Sequence, residues 1–129
     1  MRQIELISLE RLQETEEHNP AAANKLADTI FALGLWKVPI AIEQSTLAIM
    51  DGHHRLQAAK LLNLARVPCC LIDYQNGGVV LQSWRSDWDI RVTDIFLMIK
   101  ANKKYPFKTT RHLFDPPIQE ISVPLRLLY

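Results

Sequence analysis

The sequence is poor in several features that would assign it to a familiar class of protein. It has only four glycines, and none lies in a Gly-x-Gly-x-x-Gly or Gly-x-x-x-x-Gly-Lys-Ser/Thr pattern, which disfavours dinucleotide-binding and P-loop proteins. Its two cysteines, Cys69 and Cys70, are adjacent, and on a strand their side chains would point to opposite faces. We therefore expect buried free thiols in a reducing compartment rather than a disulfide or a zinc site.

Long apolar runs and an excess of one charge are also missing. No apolar segment approaches the roughly 20 residues that span a bilayer, and Arg2 and Glu5 interrupt the start where a signal peptide would be apolar. The chain carries 15 Lys and Arg against 14 Asp and Glu, a net charge of +1, which disfavours nucleic acid as a partner. We expect a cytoplasmic protein without membrane contact, and 129 residues with 48% apolar content suit one domain over residues 1–129.

The balanced total charge conceals an uneven distribution along the chain. Residues 1–50 carry 4 Lys or Arg and 7 Asp or Glu, whereas residues 100–129 carry 6 and 2. Solvated faces can differ in this way by chance. The functional alternative is a site where an acidic segment meets a basic one, and phosphoryl transfer needs that combination because carboxylates hold a metal or act as base while cations hold phosphates.

Hydrophobic patterning predicts an α+β fold, with a small mixed sheet and flanking helices. Strands are expected at residues 4–8, 38–42, 47–50, 67–74 and 79–81. Asn19 and Pro20 are typical of a helix start, and Gly34 of its end. A helix follows residues 51–55, and another is predicted from a Thr93 cap to residue 102. Pro68 favours a strand start or an edge strand, and residues 103–115 are expected to form a polar loop.

The most informative segment is Asp51-Gly52-His53-His54-Arg55, between an apolar strand and a helix. The unpaired N–H groups and the dipole of a helix start favour an anion, and glycine permits close backbone approach. Cations are disfavoured in a first helical turn, so a bound phosphate would compensate them. Alternatively, Asp51 caps the helix and the basic side chains face water. A transition-metal site is disfavoured because no Cys/His ligand pattern accompanies the two histidines.

Two further segments could contribute to a site. Residues 105–112 contain hydroxyl groups, cations and an imidazole, which together could grip an anion or could simply be a solvated basic loop. Glu14, Glu16 and Glu17 are candidates for a general base, although such a run of charged residues commonly lies on the solvent-exposed surface.

Residues 51–68, from Asp-Gly-His-His-Arg to Val-Pro, resemble the nucleotide-binding signature of the ParB/sulfiredoxin superfamily. The Asp-Gly-His-His-Arg form and the downstream Lys-Thr-Thr-Arg-His of residues 108–112 are similar to the free serine kinase branch. The resemblance spans about residues 6–114 and implies a ParB/sulfiredoxin-like fold. It also implies phosphorylation of free L-serine to O-phospho-L-serine, with ADP or ATP as donor and Mg²⁺ as cofactor.

The same resemblance implies a role for individual residues. Glu16 matches the catalytic glutamate, with Glu14 and Glu17 as close alternatives, and Asp51 would lie near Mg²⁺ or the substrate. The nucleotide phosphates would be bound by Gly52, His53, His54 and Arg55. Either the serine side or the transferred phosphate would be held by Thr110, Arg111 and His112, and Trp84 matches a tryptophan that lines the substrate pocket. The alternative is a nucleotide-binding regulatory or DNA-associated module that retains the phosphate site without catalysis. A kinase needs Glu16 and the 110–112 segment, whereas such a module needs neither.

Overall fold

The structure, a computed structural model, describes residues 2–129. Three α-helices lie within them: α1 (Pro20–Leu33), α2 (His53–Leu61) and α3 (Val92–Lys100). The strands are β1 (Gln3–Ser8), β2 (Leu35–Trp36), β3 (Ile40–Glu43), β4 (Ile49–Asp51), β5 (Arg66–Ile72), β6 (Val79–Ser83), β7 (Thr110–Phe114) and β8 (Val123–Pro124). Short 3-10 helices cover Leu9–Arg11 and Leu125–Leu127. The predicted α+β fold class is confirmed. Among the described residues, no helix combines the length and apolarity needed to cross a bilayer.

A four-stranded mixed sheet in the order β1-β5-β3-β4 forms the centre of the molecule. β5 pairs antiparallel with β1 and parallel with β3, and β3 pairs antiparallel with β4. Alternating side chains of this sheet enter two different hydrophobic clusters. Ile40, Ile42 and Cys69 pack in the cluster that contains α1 and α2 residues, whereas Ala41 and Cys70 pack with residues of β6 and β7. Both cysteines are free and buried, as predicted.

The start and end of α1 follow from local sequence. Asn19 Oδ1 accepts hydrogen bonds from the backbone N–H groups of Ala21 and Ala22, and Pro20 occupies the first helical position. Gly34 ends the helix with φ of 72°, the left-handed conformation that glycine adopts without steric cost. The sequence prediction for this helix is confirmed.

Helix α2 starts directly after β4 and has no side-chain cap. Its N-cap is Gly52, with φ of 119°, and a Cβ atom there would lie 3.1 Å from Ile40 Cγ1. Asp51 therefore does not cap the helix, and the first-turn N–H groups lack the side-chain acceptor that usually satisfies them. This helix start is the one that the 51–55 motif predicted.

The segment after α3 differs from its sequence prediction. The sequence pattern predicts a loop at residues 103–115, but they contain β7, which pairs antiparallel with β6. Single-segment patterning missed β7 because its partner strand lies about thirty residues earlier. The predicted Thr93 cap is also wrong: Arg91 is the N-cap, and the Asp94 carboxylate accepts its backbone N–H at 2.8 Å. Glutamate or aspartate at that third position is the reciprocal half of a capping box.

Pro68 lies in an interior strand rather than at the edge that its missing N–H suggested. It pairs with Leu6 of β1, and β5 has β3 on its other side. Pairing with β3 begins only at Cys69, opposite Ile40. Pro68 therefore precedes the part of β5 that is flanked on both sides, where a lost donor would break the ladder.

Candidate active site

A cleft of about 250 Å³ lies at the N-terminus of α2. Three parts of the chain supply most of its lining: the β4–α2 junction, the segment that precedes α1, and the loop that leads into β7. Leu26 of α1 and Trp84, which follows β6, complete it. Its walls are formed by Glu16, Leu26, Met50, Asp51, Gly52, His53, His54, Arg55, Trp84, Phe107, Lys108 and Thr110. Most of the site residues predicted from sequence therefore line one cleft.

Glu16 is the buried carboxylate of this cleft, with an exposure of only 9%. Its Oε1 atom accepts hydrogen bonds from the backbone N–H of Thr109 at 3.1 Å and of Thr110 at 2.7 Å. The Thr110 hydroxyl donates to the same oxygen at 3.0 Å. No hydrogen bond from residues 2–129 reaches Oε2, so one oxygen anchors the carboxylate while the other is available to a ligand.

The two amides that hold Glu16 are brought together by the backbone of Lys108. Lys108 has φ of 55°, a left-handed conformation that is uncommon for a residue other than glycine. The Thr109 hydroxyl donates to the Pro106 carbonyl and closes the loop. Consecutive N–H groups around a left-handed residue form a concave site for an anion, and here the Glu16 carboxylate occupies it.

The segment that carries Glu16 is also held by its own backbone. Tyr105 N–H donates to the Thr15 carbonyl at 2.8 Å, and Glu17 N–H donates to the Tyr105 carbonyl at 2.7 Å. Glu16 and Tyr105 form a parallel bridge as a result. The acidic early segment and the basic late segment do meet, as their opposite charges suggested.

His53 and His54 direct the same ring nitrogen towards this segment. His53 Nε2 accepts the backbone N–H of Thr15 at 3.1 Å, and His54 Nε2 accepts the backbone N–H of Asn19 at 3.0 Å. An N–H group can only donate, so both Nε2 atoms are unprotonated acceptors and each neutral ring carries its proton on Nδ1. Both imidazoles line the cleft.

Burial keeps both histidines neutral. It lowers the pKa of His53 to about 3, with smaller contributions from the positive charges that His112 and His54 would carry. Burial also lowers the pKa of His54, assisted by the neighbouring His18 and opposed by the Glu16 carboxylate. Their role as acceptors therefore persists at neutral pH.

Arg55 and Asp51 lie one helical turn apart at the same helix start. The Arg55 guanidinium donates to the Pro39 carbonyl at 3.2 Å and approaches the Asp51 carboxylate at 3.9 Å. Burial lowers the pKa of Arg55, which the nearby Asp51 charge opposes. Both residues line the cleft, and the Asp51 side chain is 60% exposed. The Asp51 carboxylate can therefore accept, and the Arg55 guanidinium can donate, further hydrogen bonds to a ligand.

The residues predicted for the substrate side divide into two groups. Trp84 and Thr110 line the cleft, and the Arg111 guanidinium stacks on the Trp84 ring at 4.3 Å. His112 lies behind this wall, where its Nε2 atom is 2.8 Å from the Tyr74 hydroxyl and its ring stacks on Phe114. Arg111 and His112 are therefore not among the residues that form the cleft surface.

The three candidate glutamates occupy different surroundings. Glu14 accepts a hydrogen bond from Gln57 at 2.6 Å and is paired with Lys60 at 3.2 Å and Lys104 at 3.7 Å. Glu17 is exposed, and only Glu16 of the three lines the cleft.

Sequence reasoning missed two residues that line the cleft, Leu26 and Met50, and included Phe107 and Lys108 only as members of a segment that could bind an anion. The Lys-Thr-Thr-Arg-His segment was interpreted through its side chains, whereas two of its backbone amides bind Glu16. No sequence signal distinguishes a lysine in the left-handed conformation from one in an extended conformation. The concave site formed by the two backbone N–H groups around Glu16 Oε1 could therefore not be predicted.

Comparison with known proteins adds to this geometry. An ATP-dependent L-serine kinase from Desulfurococcus mucosus is 34% identical over 83 residues, which are 61% of this chain and 32% of that protein. One from Staphylothermus marinus is 32% identical over 83 residues, 61% of this chain and 33% of that protein. A ParB-like protein from Sulfolobus acidocaldarius is 37% identical over 46 residues, 36% of this chain and 23% of that protein. No protein-family profile matches the chain.

Solved structures match over nearly the whole chain. A free serine kinase with a glutamate-to-glutamine mutation, in complex with AMP, has a TM-score of 0.90 at 13% identity and covers 98% of this chain and 94% of that one. A glutamate-to-alanine mutant in complex with ADP has a TM-score of 0.87 at 13% identity, with 98% and 94% coverage. The chain spans about one third of the length of the curated kinases that it matches. The similarity to serine kinases that the sequence motifs indicated is confirmed over 61% of the chain, and the chain has the fold of the solved free serine kinases.

Proposed function

We propose that this protein phosphorylates the hydroxyl group of free L-serine, giving O-phospho-L-serine, with ATP or ADP as donor and Mg²⁺ as cofactor. The observation that carries the proposal is Glu16, which lines a cleft at an uncapped helix start; three donors fix its Oε1 atom, and Oε2 accepts no hydrogen bond from residues 2–129. A fixed carboxylate and an anion-binding helix terminus are the two parts that phosphoryl transfer to an alcohol requires.

Glu16 acts as the general base in this scheme. The serine Oγ atom attacks the terminal phosphorus of the nucleotide, and the bond from that phosphorus to the bridging oxygen breaks as the new P–O bond forms. The serine hydroxyl proton passes to Glu16 Oε2, and the shortened nucleotide leaves with the electron pair of the broken bond. Proton transfer to a positioned base contributes typically 10²- to 10⁴-fold to such a rate.

The phosphate groups of the nucleotide are bound at the start of α2. The backbone at Gly52 and the free first-turn N–H groups supply donors, and the Nδ1–H groups of His53 and His54 and the Arg55 guanidinium supplement them. A cleft of about 250 Å³ is smaller than an ordinary ligand pocket, so it holds the reacting groups while the nucleoside extends outside it.

Asp51 would hold Mg²⁺ together with the phosphates. Its carboxylate fits this role because it is 60% exposed, lines the cleft, and has only a distant ion pair with Arg55 at 3.9 Å. Mg²⁺ prefers one or two carboxylates plus phosphate oxygens and retains several waters. When bound, Mg²⁺ supplies charge neutralisation at the phosphate oxygens.

The amino acid is held on the opposite wall. Trp84 and Thr110 face the cleft, and Arg111 acts from outside the cleft lining, where its guanidinium stacks on the Trp84 ring and fixes the orientation of that ring. His112 contributes from behind the wall by fixing β7 through Tyr74.

The known relatives support this assignment. The curated relatives that cover 61% of the chain are named ATP-dependent L-serine kinases, which favours ATP. The similar solved structures are free serine kinases with AMP or ADP bound.

A nucleotide-binding module without catalysis is the second candidate. The 46-residue similarity to a ParB-like protein favours it, because that relative is not named a kinase. It leaves unexplained why a buried carboxylate should be fixed by three donors beside the phosphate site.

Phosphorus NMR of the purified protein with L-serine, Mg²⁺ and either ATP or ADP tests the proposal. We expect an O-phosphoserine resonance to grow with one donor and to disappear in Glu16→Gln, whose amide keeps an acceptor for the Thr110 N–H but cannot accept the proton. Glu17→Gln, the exposed neighbour, is the matched control and should retain turnover. Nucleotide binding without product in the wild-type protein would favour the binding module instead.

The metal is tested in the same assay. Chelation with EDTA should abolish turnover, and Asp51→Asn should raise the Mg²⁺ concentration for half-maximal turnover by roughly tenfold or more, since a neutral amide is a weaker ligand for a hard cation. An unchanged Mg²⁺ requirement in Asp51→Asn would remove Asp51 from the metal site.

A further inference from the structure

We infer that His53 and His54 are positioning residues for Glu16, acting through their Nε2 atoms as acceptors that clamp the segment from Thr15 to Asn19. The inference rests on the proposed function, because it concerns the placement of the proposed base. It gives the two ring nitrogens different tasks: Nε2 holds the segment, and Nδ1–H remains for a phosphate.

The clamp acts on both ends of a five-residue segment. Thr15 N–H lies 3.1 Å from His53 Nε2, and Asn19 N–H lies 3.0 Å from His54 Nε2, with Glu16 between them. Two adjacent residues at one helix start thus fix both ends of the segment that carries the carboxylate. The Thr15 hydroxyl adds a hydrogen bond to the Ile49 carbonyl at 3.1 Å, which ties that end to β4.

The clamp also joins the starts of two helices. Asn19 is the N-cap of α1, and its backbone N–H is the group that His54 accepts. Phe107 packs edge-on against the His54 ring at 5.9 Å and steadies its orientation. A shift of His54 therefore moves the segment relative to the phosphate site at the start of α2.

Loss of one clamp should move the segment rather than unfold the protein. The bridge between Glu16 and Tyr105 holds its middle independently, and the Thr110 amide still anchors the carboxylate. A misplacement of about 1 Å can reduce a catalytic rate on the order of 10²-fold, so the consequence should appear in kcat.

Substitution of His54 by asparagine or by glutamine distinguishes the role of Nδ1 from that of Nε2. The amide oxygen of glutamine reaches the place of Nε2, whereas asparagine places its amide near Nδ1 and leaves the Nε2 place empty. His54→Asn should lower kcat for serine phosphorylation by on the order of 10²-fold, with nucleotide affinity changed only a few-fold. His54→Gln should retain most of kcat and raise the KM for the nucleotide.

His18→Asn is the matched control. His18 lies beside the His54 ring at 6.4 Å but is not among the residues that line the cleft. The His18→Asn substitution should leave both kcat and the KM for the nucleotide unchanged. If His54→Asn keeps kcat while His54→Gln loses it, the clamp is wrong and the contribution of His54 is made through Nδ1.

A second measurement does not depend on activity. Long-range proton–nitrogen NMR of the wild-type protein should show both rings as the Nδ1–H tautomer. Exchange of the Asn19 amide hydrogen should accelerate in His54→Asn and not in His54→Gln. An Nε2–H tautomer in either ring, or an unaltered Asn19 exchange rate in His54→Asn, overturns the inference. If the wild-type protein fails to phosphorylate serine, the proposed function falls, and these NMR results alone decide the clamp.

Discussion

The backbone N–H of Thr110 lies 2.7 Å from Glu16 Oε1, although 94 residues separate the two in sequence. The Thr110 hydroxyl reaches the same oxygen at 3.0 Å. The loop before β7 therefore fixes the orientation of the proposed base, and the relation between the two residues can be tested through stability as well as turnover.

Thr110→Val should lower the free energy of unfolding by about 1–3 kcal/mol, because it removes a hydroxyl that donates to a buried carboxylate. Thr110→Ser retains the donor and should stay close to the wild-type value. Urea denaturation at pH 7 of both variants measures the difference. Equal stability of the valine and serine variants would contradict the role of this hydroxyl.

Lys108 provides a test of the left-handed backbone that joins the two Glu16-binding amides. Lys108→Val should lower stability by about 1–2 kcal/mol, since a left-handed conformation with φ of 55° is costly for a residue with Cβ and worst for a β-branched one. Lys108→Gly accepts this conformation freely and should be at least as stable as the wild-type protein.

Both Lys108 variants remove the ammonium group, so comparing their thermal midpoints isolates the backbone effect from the loss of charge. The observation that would count against a left-handed Lys108 is a glycine variant no more stable than the valine variant.

Arg55→Ala should weaken nucleotide binding by about 1.5–3 kcal/mol, the usual size of a charge-assisted hydrogen bond, or roughly 10- to 150-fold in Kd. Isothermal titration calorimetry measures it directly. Arg126→Ala, an exposed arginine of the Leu125–Leu127 3-10 helix, is the control and should bind normally. Wild-type affinity in Arg55→Ala would place the phosphates elsewhere.

His112 should make stability depend on pH. Burial lowers its pKa to about 4, partly offset by the Met50 backbone carbonyl, against an ordinary value of 6.5. Between these values the unfolded chain binds more protons than the folded one, so stability is full above pH 6.5 and falls as the pH decreases towards 4. The slope from one such group is up to about 1.4 kcal/mol per pH unit.

His112→Gln keeps an acceptor for the Tyr74 hydroxyl but cannot titrate. Its unfolding free energy, measured in urea at several pH values between 4 and 7, should have a slope shallower than the wild type by about this amount. Identical slopes would mean that His112 titrates in the folded protein as it does in the unfolded chain, which would contradict the lowered pKa.

Local sequence signals predicted those features that depend on neighbouring residues. Asn19, Pro20 and Gly34 predicted the ends of α1, and the Asp-Gly-His-His-Arg segment predicted a helix start with free N–H groups. The adjacent cysteines predicted two opposite sheet faces. The same logic failed for residues 103–115 and for Pro68, because β7 and the position of β5 in the sheet depend on distant partners.

Helix termini, the alternation of side chains along the strands and the chemical types gathered at the candidate site could all be predicted from the sequence, because each of these depends on residues within a few positions of one another. The three-dimensional fold was needed to show which of Glu14, Glu16 and Glu17 lines the cleft, and which nitrogen of each histidine accepts a hydrogen bond from the segment before α1. Those outcomes depend on long-range hydrogen bonds, and the direction of a side chain is not fixed until its partners from other segments are in place.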